Sequence, residues 1–372
     1  MNSKRVRQHK SLKEPNIHAV AQRAGVSVFT VSSVINKKAH VSTPLRRKVE
    51  EAIRELNYRP NLLARSLAKR QTHTIGVVVP DIANPFFPLI VRGVEDEAQK
   101  AGYSILLCNS DNQLEKEEQY LELLLSKRVD GILLTKAPGS LAHSLCHVLC
   151  ATKVPCVLVM RTCRDLKADA VLSDDFQGAF EAVSHLVRQG YRRIGLVGGP
   201  LNVSNGRARW QGFRKALRVG GLPQCQDLIV EGDYRIESGY RAGLALLPRR
   251  PDAVYVANYL MTVGLMKAAE EMGVRCPEDF GLVSFDDYPW LGCFHPRLTT
   301  VDLPKYDVGA EATRILIERI KGKSGRFVIK KLPPQLVVRE SCGFTHRMRG
   351  SMEPQQVQQM SCVPKEADIP GT

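Results

Sequence analysis

Residues 16–36 read NIHAVAQRAGVSVFTVSSVIN, and this stretch decides how the front of the chain folds. Ile17, Val20, Ala21 and Ala24 recur at helical spacing, so one face of a short helix is apolar. Asn16 stands where an N-cap is needed, and Gly25 follows the last apolar position, where a turn with positive φ would strain any Cβ. Ser27 is placed to cap a second helix running to about Ile35, with Val31, Val34 and Ile35 inward and Asn36 at its C-terminal turn. A third helix is expected after Ser42-Thr43-Pro44, with Leu45, Val49, Ala52, Ile53 and Leu56 as its apolar stripe. Two short helices about a glycine turn predict a helix-turn-helix, small Ala21 letting the helices approach closely. Its second helix would enter a major groove, with Val28, Phe29, Thr30, Ser32 and Ser33 facing outward.

Charge points the same way. Of the net +15 of the 372 residues, +12 falls in residues 1–73 and only +3 in the remainder. A basic excess confined to one small segment is the footprint of phosphate binding. A solvated basic surface, or a three-helix protein-interaction module, would carry such charge too. The polar outward face of the second helix favours DNA.

The rest is too long for one ordinary domain. From Thr74 onward, short β-rich runs alternate with helical stretches. Strands are expected at 75–79, 104–108, 131–134, 156–160, 194–197, 253–256 and 281–285, and helices at 87–101, 115–126, 176–188, 207–219 and 261–272. That alternation predicts parallel sheets with helices on both faces, and the number of strands suggests two such lobes. No apolar run is long enough for a membrane span, and the basic start is followed by no apolar stretch of a secretory leader. The ten cysteines show no CxxC pair or zinc-ligand cluster, so they are read as reduced thiols packed as small hydrophobes.

The run from Ile17 to Asn36, its continuation HVSTPLRRKVEEAIRELNYRPNLLARSLA and the later IGVVVPDIANPFF together resemble the lactose/galactose-repressor (LacI/GalR) family, from about residue 16 to 343. The resemblance implies an α/β core of two doubly wound parallel-sheet lobes of the periplasmic-binding-protein type 1 fold, behind a small all-α head. Its implied organisation is a flexible basic tail at 1–15, the head at 16–58 and a hinge helix and linker at 59–73. The first lobe would hold 74–173 plus 302–325, the second 174–301 plus 326–343, and a flexible tail 344–372. That tail lacks apolar heptads, which favours a homodimer over a tetramer.

By the same resemblance, a pseudo-palindromic duplex is contacted by Ser27, Val28, Phe29, Thr30, Ser32, Ser33, Asn36 and His40, and by Asn61, Ala64, Arg65 and Leu67 of the hinge. A hinge helix of about two turns is unstable alone and would fold on DNA, where Leu67 would wedge between base pairs. Ser33 is short where many relatives carry arginine, which would remove a bidentate guanine contact. A small-molecule effector would sit between the lobes, near the carboxyl ends of strands, against Phe86, Phe87, Met160, Arg209, Tyr234, Asn258 and Asp286. Met160, Tyr259 and Leu303 stand where relatives carry polar residues. The expected ligand is therefore not an ordinary hexose; it is a less polar molecule, or a partner protein replaces it.

Two other classes compete. A transporter's solute-binding protein shares such a core but has no use for a basic head. An enzyme would need a P-loop, a GxSxG, an HExxH or a metal constellation, and the sequence has none. No catalytic residue, metal or cofactor is expected, and a regulator of this kind would work in the cytoplasm, on the nucleoid.

Overall fold

The computed structural model describes residues 15–36, 41–58, 71–141, 149, 152–293 and 295–343. His40, Asn61, Ala64, Arg65 and Leu67 lie outside the described residues, as do the expected tails at 1–14 and 344–372. The chain divides into two compact units, 1–72 and 73–372.

In the first unit, α1 (Ile17–Ala24), α2 (Val28–Ile35) and α3 (Thr43–Glu55) surround one apolar cluster. Val20 and Val31, one from each arm of the helix-turn-helix, are fully buried against Val49. The first two helices have side-chain caps: Asn16 Oδ1 accepts from the Ala19 N–H at 3.0 Å, and Ser27 Oγ from the Thr30 N–H at 3.1 Å. Gly25 turns the chain at φ 66°. Tyr58, which periodicity did not single out, closes the cluster. Leu45 was expected on the buried stripe, yet it is exposed: one turn past the cap, it lies beyond the reach of so small a core. Ser27→Ala removes an acceptor that no neighbour replaces. It should lower the head's stability by about 1 kcal/mol, read as a lower melting temperature of the isolated unit's helical signal, with the core's transition unmoved.

The second unit holds two six-stranded sheets. In the first, β1 (Thr74–Val79) lies between β2 (Ser104–Asn109) and β3 (Gly131–Leu134), followed by β4 (Cys156–Val159), β5 (Asp169–Ser173) and β11 (Ile329–Leu332), all parallel. In the second, β6 (Ile194–Gly198) lies between β7 (Ile229–Glu231) and β8 (Ala253–Val256), followed by β9 (Gly281–Phe285) and β10 (Thr299–Asp302), with β12 (Gln335–Val337) antiparallel at the edge. Runs such as IGVVV and AVYV are apolar without alternation because helices cover both faces. These are α4 (Phe86–Lys100), α5 (Leu114–Ser126), α6 (Asp175–Arg188), α7 (Ser204–Val219), α8 (Ile236–Leu246), α9 (Tyr259–Glu271) and α10 (Lys305–Ile320). Helices α4 and α10 pack at near backbone contact, because Gly93 faces the Tyr306 carbonyl and Gly309 faces that of Ile90. A Cβ at either position has nowhere to go.

One expected boundary is corrected. Residues 326–343 were assigned to the second lobe, but Ile329–Leu332 pair with Ala170–Ser173 in the first sheet, and only β12 joins the second. The last crossing between lobes therefore falls after β11, not before it. Strand IKKL, at the sheet's open edge, is mostly exposed and carries no apolar signature. The described cysteines are free. Burial pushes the Cys156 thiol up to about 12, so it packs as an inert hydrophobe.

Candidate functional site: a recognition helix and an inter-lobe cleft

Within the head, the outward face of α2 is narrower than expected. Phe29 is 74% exposed and stands out in the first turn. Val28 packs against the head's cluster. Ser27 and Thr30 share a hydroxyl contact of 2.9 Å while Ser27 caps the helix. Ser33, expected to face outward, is buried at 6% exposure, because a hydroxymethyl group is too short to clear its neighbours. Asn36 donates to the Ser32 carbonyl at 2.7 Å and closes the helix end. Ser32 is half-buried beside it. The protruding feature of this helix is thus one aromatic ring framed by hydroxyls.

Within the core, the carboxyl ends of the strands converge on one small cleft of 40 Å³. All seven side chains expected at an effector site line it: Phe86, Phe87, Met160, Arg209, Tyr234, Asn258 and Asp286. The sequence reading missed Arg161, Asn112, Thr135, Asp233 and Arg235, which line it too. The signal was available: most of them sit just beyond a strand's last residue, where open sheets place their ligands.

Each side chain has a traceable position. Phe86 and Phe87 begin α4 and meet edge to face at 5.2 Å, held by the Phe86 N–H on Asn84 Oδ1 at 3.1 Å. Arg209, on α7, is 3% exposed. Its Nε donates to Asp175 Oδ1 at 2.7 Å, Nη1 donates to the Ala257 carbonyl, and the guanidinium lies 3.9 Å from the Phe285 ring centre. It therefore ties the starts of α6 and α9 to the end of β9. Burial works most strongly against its charge, but Asp175 together with Tyr234 and Asp286 outweighs it and raises the pKa. Asn258 is committed to structure: its Oδ1 caps α9 through the Met261 N–H, and its Nδ2 donates to the Tyr234 carbonyl, both at 3.0 Å.

Two groups are left wanting. Asp286 Oδ1 and the Tyr234 hydroxyl are buried without hydrogen-bond partners among the described residues. Both residues are held at positive φ, 72° and 68°, which aims their side chains into the cleft. Asp287, the neighbouring acid, is fully used: Arg339 grips it at 2.7 and 2.9 Å and Thr300 donates at 2.7 Å. Of the adjacent pair, Asp287 holds the loop, while Asp286 keeps Oδ1 without a donor among the described residues.

Burial raises the Asp286 pKa above its ordinary 3.8, against the pull of Arg209 and Lys305. The folded state therefore favours the neutral acid, and stability falls as pH rises from the unfolded value through the raised one. Asp286→Asn should stabilise the ligand-free core by about 1 kcal/mol at neutral pH and by nothing at a pH where the acid is neutral in both states. Melting curves at pH 3.5 and pH 7.5 check this.

Two expected departures lie elsewhere. Tyr259 meets Tyr288 edge to face at 5.1 Å and accepts from Trp290 at 3.4 Å, on the wall of a separate 920 Å³ surface groove. Leu303 is buried in the core cluster. Neither lines the cleft, so only Met160 of the three makes the site less polar.

A head built as a helix-turn-helix and a core that closes two sheets over a polar cleft define a ligand-responsive transcriptional regulator. Residues 72–334 match the periplasmic binding proteins and sugar binding domain of LacI family, and residues 16–61 match the bacterial regulatory proteins of the lacI family. The chain belongs to the LacI family. It is 38% identical over 327 residues to the ribose operon repressor of Halalkalibacterium halodurans, and 38% over 330 residues to the transcriptional repressor PurR of Edwardsiella ictaluri; each match covers 87% of this chain and 96% of the relative. Among solved structures it is similar to the lac repressor dimer bound to operator and the anti-inducer ONPF, with TM-score 0.79 and 30% identity over 89% of this chain and 99% of that one. It also matches the CelR–cellobiose complex, with TM-score 0.68 and 32% identity over 88% and 99%. These relatives are transcriptional regulators, several named as repressors, and none is named as an enzyme. No helix among the described residues is long and apolar enough to cross a membrane.

Proposed function

We propose that the chain acts as a homodimer on a pseudo-palindromic operator, and that a small molecule held by Arg209, Asp286, Tyr234, Phe86 and Phe87 sets its grip. The observation that carries this reading is the unsatisfied pair, Asp286 and Tyr234, buried between two closed lobes. Such groups cost stability unless something donates to them, and a ligand with hydroxyls does. A molecule that prefers the closed lobes shifts that equilibrium by its differential affinity and no more. Dimerisation is supported by the exposed Leu106 and Leu107 on the open edge strand β2, and by the dimeric lac repressor it resembles. The effector is not an ordinary hexose, because Met160 stands on the first-lobe wall where relatives carry a polar residue. The protein works where the chromosome is.

On DNA, Phe29 reads the major groove by apolar contact with a thymine methyl, and the hinge residues Asn61, Ala64, Arg65 and Leu67 and the nearby His40 complete the contact. Selection from a random duplex pool tests this. Enriched two-fold symmetric sites with a thymine opposite Phe29, lost with Phe29→Ala by about 1–3 kcal/mol per changed contact, are the expected outcome. Selection of no common site, or the same half-sites with Phe29→Ala, overturns the assignment.

A further inference from the structure

The first sheet has two open sides, β2 at one end and β11 at the other, with β5, β4, β3 and β1 between them. At the β11 end, Phe327, Val328 and Ile329 are 58%, 48% and 64% exposed, the longest run of exposed large apolar side chains among the described residues. Apolar side chains beside an unpaired strand edge invite another chain to pair there. The main chain has groups to offer as well. The Val328 carbonyl accepts from the Ala170 N–H and the Leu332 carbonyl from the Asp174 N–H, each at 2.9 Å. A parallel ladder engages alternate residues on one side, so Ile329 and Lys331 turn their N–H and C=O groups to the open side.

The approach to this edge is fixed in advance. Arg319 grips the buried Asp169 at 2.8 and 2.9 Å, and its guanidinium also donates to the Arg326 carbonyl at 2.8 Å and the Lys323 carbonyl at 3.0 Å. Asp169 Oδ1 accepts from the Val328 N–H at 2.8 Å. A preformed edge spares an incoming strand part of the ordering cost of pairing. Residues 321–331 read KGKSGRFVIKK, five cations and no acid, all exposed. Lys323 meets Glu318 and Lys330 meets Glu311, both at 2.7 Å. Lys321, Arg326 and Lys331 have no such pairing among the described residues. A second copy of this strand would bring like charges together, which disfavours self-pairing. Duplex DNA would meet the cations but leave the outward carbonyls without a donor. An acidic polypeptide satisfies both.

We propose that the open edge of β11 docks an extended acidic segment of a partner protein, which joins the six-stranded sheet as an added strand. Its main chain pairs with Ile329 and Lys331. Its apolar side chains lie beside Phe327 and Ile329, and its carboxylates meet Lys331 and the cations of the preceding loop. The site lies five strand spacings from β2, about 24 Å, so a copy docked on β2 leaves it open. It uses no residue of the cleft, and it stands whether or not the effector is the one proposed above.

The probes are two labelled hexapeptides, one alternating glutamate with valine and one alternating lysine with valine, titrated against the full chain by anisotropy. The acidic peptide should saturate below about 1 mM and bind at least about tenfold tighter than the basic one. Hydrogen exchange should slow at the Ile329 and Lys331 amides when it binds. Ile329→Pro removes an outward N–H and leaves the ladder to β5 in place, so it should weaken the acidic peptide at least about tenfold. Lys331→Glu, an exposed change that spares the fold, should weaken the acidic peptide and strengthen the basic one. The basic head is common to all three proteins, so the differences report the edge. No saturation, equal affinity for the two peptides, or affinity unchanged in both variants overturns the proposal. Assemblies larger than a dimer in sedimentation, broken by Ile329→Pro, would assign the edge to a second copy and overturn it too.

Discussion

Replacing Arg209 with methionine should cost the core about 3–5 kcal/mol, the largest effect expected of any single cleft substitution. The loss comes less from the missing bonds than from what they leave behind. Asp175 is 4% exposed and has only Ser173 Oγ, at 3.1 Å, as a further donor. Burial already raises its pKa, with Arg209 the main opposing influence. Without Arg209, Asp175 takes up a proton on folding at neutral pH. The folded state then binds more protons than the unfolded one, so the variant's deficit grows with rising pH and shrinks in acid. Urea titrations at pH 5 and pH 8 should show that sign. Arg209→Met with Asp175→Leu should regain much of the stability, since a buried pair is often replaceable by packing. It should not regain effector response, because Arg209 also floors the cleft. Equal deficits at both pH values would show that Asp175 is not the group left stranded.

How much of this was legible beforehand follows from physics at particular positions. Strands such as TIGVVV announce themselves because both faces are buried, and the expected bounds fall within a residue or two of β1, β3, β8 and β9. IKKL of β11 is a mostly exposed edge strand held by its ladder alone, so no pattern of hydrophobicity marks it. Helix α10 buries Lys305 and Thr313 beside Gly309, a mixture that reads as surface until the partner helix is known. In the site, residues carried by motif were found, whereas Arg161 was not. No motif carries Arg161, and only the three-dimensional neighbours bring it to the cleft. Two readings erred in the opposite direction: Ser33 was expected to face outward and is buried, and Tyr259 was read as removing a polar contact from a cleft that its side chain does not line.

The second large effect concerns the head. Its +12 sits on residues 1–73, and phosphate contacts release counterions in proportion to the charges neutralised. A dimer neutralising about six phosphates should lose roughly a thousandfold in operator affinity between about 50 and 200 mM salt. The core, near neutral over its own length, should add little to that slope. In the proposed reading the exposed Phe29 of α2 carries specificity, so Phe29→Ala should weaken binding to the selected operator while leaving the slope unchanged. Charge removed from the head, as with Arg46→Gln, should flatten the slope for every sequence. The direct measurement is anisotropy of a labelled, selected operator titrated with full-length protein over that salt range, beside a scrambled duplex. The account predicts a steep common slope for both duplexes and a constant offset of at least about a thousandfold in favour of the operator. Salt-independent binding, or equal affinity for the two duplexes at every salt concentration, would contradict it.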